Sequence, residues 1–235
     1  MKKIDNEQDN RQSPQIKICG LTNAQDAYEC ASLGAHAIGC VFYPKSPRHV
    51  SENQARDIVR ALPPAIMVVG VFVNSSFDKI MGKVDMCGLS AVQLHGQEPP
   101  DLVDKLRKEK LLIIKTLFDK TQPGFKDVSR YHASAYLVEC GEGKLPGGNA
   151  LSWEWGKASE LGKSYPLILA GGISEDNICQ AIHECSPDAV DISSGVESVP
   201  GRKDIAKVKS FISKVSTSNS HKKSKDYKLR RIFNV

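Results

Sequence analysis

The sequence predicts an α/β fold, a single (β/α)₈ TIM barrel with parallel strands. Three observations carry this. Short apolar runs alternate eight times with segments of helical period, and strands alternating with helices imply a parallel sheet. The 235 residues suit one such domain, since α/β barrels often run roughly 200–250 residues as one unit. The last two predicted strands each run into a small, glycine-bearing turn, where barrels of this kind commonly bind phosphate. An open doubly wound sheet is the alternative.

The elements follow in chain order. The first strand is predicted at Ile16–Ile18, with a helix over Ala24–Leu33 that Thr22 or Asn23 can cap. A second strand at Ala37–Phe42 precedes a helix at Glu52–Leu62, where Ser51 and Gln54 form a capping-box pattern before an amphipathic run. Ile66–Phe72 and Ala91–Leu94 read as strands three and four, with helices at Phe77–Val84 and Pro99–Lys108. Leu111–Leu117 is the fifth strand, followed by a weak helical segment near Gly124–Tyr131. The sixth unit pairs Ala135–Val138 with Trp153–Leu161, and the seventh pairs Leu167–Ala170 with Glu175–Glu184, which Ser174 can cap. Ala189–Ile192 and Asp204–Val215 complete the set.

These elements divide the chain into a flexible extension (1–14), a barrel (15–215) and a basic tail (216–235) expected to be solvated and disordered. From Ser216 onward six basic residues face one acid, Asp226, which accounts for the whole net charge of +5. The remaining residues are electrically balanced. A nucleic-acid arm is therefore not expected, because the body offers no basic surface to support it. No run of about 18 apolar residues occurs, so no membrane span is expected. The N-terminus lacks the apolar core of a signal peptide, which favours the cytoplasm. Seven cysteines without a C-x-x-C pair argue against a disulfide framework or structural zinc and suit a reducing compartment.

Candidate chemistry follows from strand parity. Active sites of such barrels sit at the C-terminal ends of the strands, and alternate side chains share a face. "QIKICG" puts Lys17 and Cys19 on one face, and "AVQLHG" does the same for Gln93 and His95. Leu137 shares a face with Glu139, and Asp191 with Ser193. Four strands thus aim polar groups inward, which a purely structural barrel has no need of, because buried polar groups are costly. Each residue has a plainer reading. Cys19 alone is equally a small buried hydrophobe, although a helix start beside it can stabilise a thiolate. His95 can be a satisfied polar group lining a cavity, Asp191 a bridge between loops, and Glu139 a solvated strand end. "YPKSPRHV" sets Arg48 between proline-stiffened segments, as a surface residue or as a carboxylate clamp. Gly171–Gly172 and Ser193–Ser194–Gly195 lie in successive turns that can converge backbone N–H groups on an anion, and Gly147–Gly148 can complete the cradle.

Taken together, "KICGLTN", "GCVFYPKSPR", "VGVFVN", "VQLHGQE", "LILAGGIS" with a following "DN", and "VDISSGVES" with "PGRKD" resemble the phosphoribosylanthranilate isomerase family of tryptophan biosynthesis, over about residues 15–215. The resemblance implies a (β/α)₈ barrel that uses no cofactor and no metal. It implies an Amadori rearrangement of N-(5-phosphoribosyl)anthranilate to 1-(2-carboxyphenylamino)-1-deoxyribulose 5-phosphate. The expected partner is that small phosphosugar substrate, and the expected state a monomer or homodimer. Carried over residue by residue, Cys19 matches the general base at the sugar C2 and Arg48 the holder of the anthranilate carboxylate. Gln93 and His95 match residues lining the site, and Asp191 a contact to sugar hydroxyls. Gly171, Gly172, Ser193, Ser194 and Gly195 match phosphate-binding turns. A thiolate with a pKa near ambient pH would serve as the base. The departure is Glu139, where the family has an aspartate as general acid. "GGNALSW" also lacks the later glycine of the family's loop. Glu142 is a competing acid. Two other readings are a non-catalytic phosphosugar-binding barrel and a metal-dependent epimerase, the latter needing His and Asp ligands at several strand ends.

Overall fold

A computed structural model of the chain describes residues 13–143, 152–218 and 229–233. Eight parallel strands close into a barrel in sequence order: β1 (Gln15–Cys19), β2 (Ala37–Val41), β3 (Met67–Phe72), β4 (Ala91–Leu94), β5 (Leu112–Phe118), β6 (Ala135–Glu139), β7 (Leu167–Leu169) and β8 (Ala189–Ile192). The β1–β8 pairing, with Lys17 opposite Asp191, closes the ring. The open-sheet alternative is thereby set aside.

Helices α1 (Ala24–Ser32), α2 (Glu52–Ala61), α3 (Phe77–Cys87), α4 (Pro100–Lys108), α5 (Ser159–Ser164), α6 (Ile178–Cys185) and α7 (Ile205–Thr217) surround the barrel. A 3₁₀ segment, Phe125–Arg130, stands in the fifth unit, and another, Trp155–Ala158, leads into α5. Asn23 rather than Thr22 caps α1, accepting from the Asp26 N–H, while the Thr22 hydroxyl donates to the Gly201 carbonyl. Ser51 and Gln54 form the expected capping box. Ser174 does not cap α6. Asn177 precedes that helix, accepting from the Ser174 N–H and donating to the Gly172 carbonyl, so the turn after β7 stays open and the helix starts three residues late.

The barrel wall has two apolar faces. Ile16, Ile18, Ile38, Val68, Val92, Ile113, Val138, Leu169 and Val190 pack outward against the helices. Ala37, Met67, Val69, Ala91, Ile114, Ala135, Leu137, Ile168 and Ala189 fill the interior. Below them the chain contributes a further piece. Ile232 and Phe233 join the interior cluster, and the Gln15 side chain accepts from both their N–H groups while donating to the Phe233 carbonyl. Arg230 pairs with the fully buried Asp188 just ahead of β8. The expectation of a solvated tail therefore fails for Leu229, Ile232 and Phe233, whose apolar side chains are buried, the last two in the barrel floor. At the other terminus Ser13 is buried, and its hydroxyl donates to the Ser216 carbonyl.

After β8 the chain forms a short 3₁₀ turn, Ser194–Val196, and then an antiparallel hairpin of β9 (Glu197–Val199) and β10 (Arg202–Lys203). No helix among the described residues is long and apolar enough to cross a membrane.

Candidate active site

The inward side chains at the C-terminal strand ends form a polar ring above the apolar floor. Lys17 and Cys19 come from β1, Gln93 and His95 from the end of β4, Thr116 from β5, Glu139 from β6 and Asp191 from β8. Apart from Thr116, these are groups that strand parity assigned to this face.

Cys19 is buried, and room for its sulfur comes from the neighbouring strand. Gly39 pairs directly with Cys19, and a Cβ on Gly39 would lie 2.7 Å from the sulfur. A glycine inside a strand often marks such a close approach. Beside Cys19, Lys17 Nζ donates to Asp191 Oδ1 at 2.9 Å. Burial works against the Lys17 ammonium, but Asp191 and the Cys19 sulfur outweigh it and raise its pKa. The Cys19 thiol is pushed up by burial, with Lys17 pulling it down, Asp191 pushing it up and Lys203 pulling it down. The expectation of a pKa near ambient pH is thus corrected for the free protein.

Across the mouth, His95 Nε2 lies 3.3 Å from Glu139 Oε2. The other ring nitrogen, Nδ1, lies 2.8 Å from Gln93 Nε2 and 3.1 Å from Thr116 Oγ1. With Nδ1 accepting from the Gln93 amide, the hydrogen sits on Nε2, the ring nitrogen that faces Glu139. Gln93 Oε1 is buried and has no partner among the described residues, a polar atom inside the ring for a ligand to satisfy. Glu139 is itself buried, so it is no solvated strand end, whereas Glu142 is exposed in the loop.

Arg48 is buried rather than a surface arginine. Its Nε donates to Glu197 Oε1 at 2.9 Å and its Nη2 to Glu197 Oε2 at 2.7 Å. Lys203 Nζ reaches the same carboxylate at 2.9 Å and the Ser193 carbonyl at 3.1 Å. Burial works against the Glu197 carboxylate, but Arg48 and Lys203 outweigh it and hold its pKa below the usual range. Gly20 admits this arrangement: it has φ +77°, and a Cβ there would meet Arg48 Cδ at 2.5 Å and Ser193 Oγ at 2.9 Å.

The turns after β7 and β8 come together. Gly171 and Gly172 both have positive φ. A Cβ on Gly195 would fall 2.2 Å from the Ile173 carbonyl oxygen, so the two loops touch through backbone. Trp153 and Trp155 donate to the carbonyls of Ala170 and Gly171 and brace the first of them. Ser194 and Gly195 open a 3₁₀ turn, whose first N–H groups have no acceptor within it. Gly147 and Gly148 lie outside the described residues.

Glu197, Lys203 and Thr116 are site groups that the sequence reading did not select, and Lys17 was placed inward there without a role. Thr116 was available from parity. Glu197 and Lys203 lie beyond β8, inside the stretches "VDISSGVES" and "PGRKD", where no local signal shows that the two side chains meet. Among the described residues no group of three or more His, Cys, Asp or Glu side chains is arranged to hold a metal ion, so the donor set a metal-dependent epimerase needs is not assembled there.

Known proteins resemble this chain along most of its length. A family model described as N-(5'phosphoribosyl)anthranilate (PRA) isomerase matches residues 16–214. An N-(5'-phosphoribosyl)anthranilate isomerase of Desulfatibacillum aliphaticivorans is 48% identical over 219 residues, covering 93% of this chain and 98% of that relative. One from Geobacter sulfurreducens is 41% identical over 197 residues, covering 84% and 96%. The crystal structure of phosphoribosyl anthranilate isomerase from Thermotoga maritima superposes with a TM-score of 0.79 at 37% identity, covering 86% of this chain and 98% of that one. A further structure of such an isomerase is in complex with reduced 1-(o-carboxyphenylamino)-1-deoxyribulose 5-phosphate and gives a TM-score of 0.76 at 37% identity, with the same coverage. With the family model spanning the barrel and relatives of this similarity matching nearly end to end, the chain belongs to the N-(5'-phosphoribosyl)anthranilate isomerase family.

Proposed function

We infer that the chain converts N-(5-phosphoribosyl)anthranilate to 1-(2-carboxyphenylamino)-1-deoxyribulose 5-phosphate, with Glu139 as acid and Cys19 as base. The observation that carries the assignment is that two buried proton-transfer groups, on β1 and β6, face one barrel mouth. Arg48 takes the anthranilate carboxylate, the turns at Gly171–Gly172 and Ser193–Gly195 take the phosphate, and Asp191, Gln93 and His95 meet the sugar. Two anchored ends hold the ribose between acid and base, and positioning of this kind can be worth roughly 7–11 kcal/mol of barrier.

Glu139 gives its proton to the furanose ring oxygen. The C1–O bond breaks, and the nitrogen lone pair closes a C1=N iminium. Cys19, as thiolate, removes the C2 proton. The C2–H electrons form C1=C2, and the C=N electrons return to nitrogen as an enolamine. The C2 hydroxyl then gives a proton to Glu139 while C1 takes one from the Cys19 thiol, which yields the ketone and restores both groups. The raised thiol of the free protein suits this order of events. The iminium brings a second cation beside Lys17 when the thiolate is needed, and a nearby positive charge lowers a thiol pKa.

Loss of substrate fluorescence measures the reaction. Cys19→Ser and Glu139→Gln should each lose most of the turnover. Wild-type rates in both variants refute the roles, and retained activity in Glu139→Gln with loss in Glu142→Gln moves the acid into the loop. Ligand binding by calorimetry without any turnover would establish the non-catalytic reading instead. Free thiols at all seven cysteines support a cytoplasmic setting. For assembly, monomer and homodimer both fit. The Thermotoga relative is described as dimeric and also as monomers generated from that dimer, and sedimentation would decide for this chain.

A further inference from the structure

Glu197 belongs to none of the eight barrel strands, yet it is among the most heavily bonded side chains around the mouth. It opens β9 directly opposite Lys203 of β10. The hairpin is held from outside: the Lys203 N–H donates to Asp26 of α1, and the Gly201 carbonyl accepts from Thr22 in the loop before α1. Lys207 of α7 donates to the Glu197 carbonyl. The hairpin backbone that carries the carboxylate is therefore held by α1, by the loop before it and by α7.

An arginine presents five donors in a planar fork. Glu197 engages Nε and Nη2, one whole edge of that fork. Nη1 makes no hydrogen bond among the described residues, so the Nη1–Nη2 edge remains for a second planar acid. The charges also fit. Arg48, Lys203 and Glu197 sum to one positive charge, which one carboxylate neutralises. Without Glu197, two cations would face each other in a buried space, where like charges are costly.

We propose that Glu197 is the positioning residue of the Arg48 carboxylate clamp: it fixes the guanidinium so that one edge faces the substrate acid, and Lys203 ties it to the turn at Ser193. The inference rests on the reading of Arg48 given above. It makes Glu197 a determinant of specificity for a carboxylated aryl group, although it does not contact the substrate.

The test compares binding of two ligands by calorimetry: reduced 1-(o-carboxyphenylamino)-1-deoxyribulose 5-phosphate and its counterpart without the carboxyl group. The native protein should prefer the carboxylated ligand. In Glu197→Gln that preference should fall about ten- to hundredfold, the range of a charge-assisted hydrogen bond. Affinity for the counterpart should stay within about threefold. Arg48→Ala should lose the preference equally, and the double variant should be no worse than Arg48→Ala, because Glu197 acts through Arg48. In turnover the loss should fall on KM rather than kcat. A full preference in Arg48→Ala sinks the carboxylate reading of Arg48 itself. Loss in Arg48→Ala with full preference in Glu197→Gln overturns the positioning role while leaving that reading intact. Equal weakening of both ligands in Glu197→Gln marks a merely structural group and also overturns it. If Glu197→Gln does not fold by circular dichroism, Glu197→Asp decides: its shorter arm cannot serve Arg48 and Lys203 together, and an unchanged preference refutes the proposal.

Discussion

Replacing Gly39 by alanine perturbs the Cys19 sulfur without touching any group that bonds to substrate. Gly39 is paired with Cys19 across two adjacent strands. The added Cβ would lie 2.7 Å from Sγ, 3.1 Å from the Cys19 Cα and 3.3 Å from its Cβ, where ordinary contact is 3.4–4 Å. The sulfur must therefore retreat by roughly 1 Å, and because the new methyl also crowds the Cys19 backbone, side-chain rotation alone cannot relieve the clash. A misplacement of about 1 Å at a reacting group can cost about 10²-fold in rate. Overpacking costs about 1–3 kcal/mol, partly offset by about 0.5–1 kcal/mol for replacing a strand glycine. We expect kcat/KM in the fluorescence assay to fall about a hundredfold, with Tm lowered by a few degrees at most. The matched control is Gly82→Ala in α3, where a Cβ would meet nothing within 4 Å. It should gain about 0.5–1 kcal/mol and keep its activity. A Gly39→Ala enzyme within threefold of the native kcat/KM would refute the claim that this glycine sets the sulfur's position.

Two further outcomes follow from the same contacts. As a base, Cys19 works as the thiolate, so activity rises with pH until the thiol has titrated. Lys17 pulls that titration down, so Lys17→Met should move the rising limb of the kcat/KM profile to higher pH, and an unmoved limb would remove Lys17 from the account. Ending the chain at Ser218 should lower stability by about 1–3 kcal/mol in urea denaturation, with kcat retained because the floor lies at the opposite end of the barrel; an unchanged midpoint would mean that the tail contributes nothing.

The eight strands were legible because each is a local signal. Their observed bounds differ from the expected ones by a residue or so, as with Leu112–Phe118 against Leu111–Leu117. Parity was legible for the same reason, and it placed Cys19, Gln93, His95, Glu139 and Asp191 inward. The partners of these residues were not legible. Lys17 meets Asp191 from 174 positions away, and Arg48 meets Glu197 from 149. Such contacts exist only once β8 has closed onto β1, and no local pattern encodes which acid will face which base. The α6 boundary failed on a smaller scale, because Ser174 looks like a cap, but Asn177 takes the Ser174 N–H and the Gly172 carbonyl into a competing turn.

The floor of the barrel shows a pattern that the sequence carries openly but that has meaning only in the closed ring. The strands β2, β4, β6 and β8 all begin with alanine: Ala37, Ala91, Ala135 and Ala189. All four point into the interior cluster. Barrel layers are ordinarily filled by bulky branched side chains from alternate strands, so a layer of four alanines leaves the floor underfilled. Close packing is the rule in interiors, and the missing volume is supplied by Ile232 and Phe233. The balance is narrow. Burying Leu229, Ile232 and Phe233 gains about 1.5–3 kcal/mol each, while fixing five backbone residues costs about 1–2 kcal/mol each. The two nearly cancel, and the decision passes to the hydrogen bonds. Gln15 supplies three of them, and Asp188 accepts the Arg230 N–H and pairs with its guanidinium. A fully buried Asp188 without Arg230 would keep the Leu167 N–H but lose the Arg230 guanidinium. Gln15→Leu should therefore destabilise the full chain more than the chain ending at Ser218, because only in the former does it strip bonds from a segment that is otherwise in place.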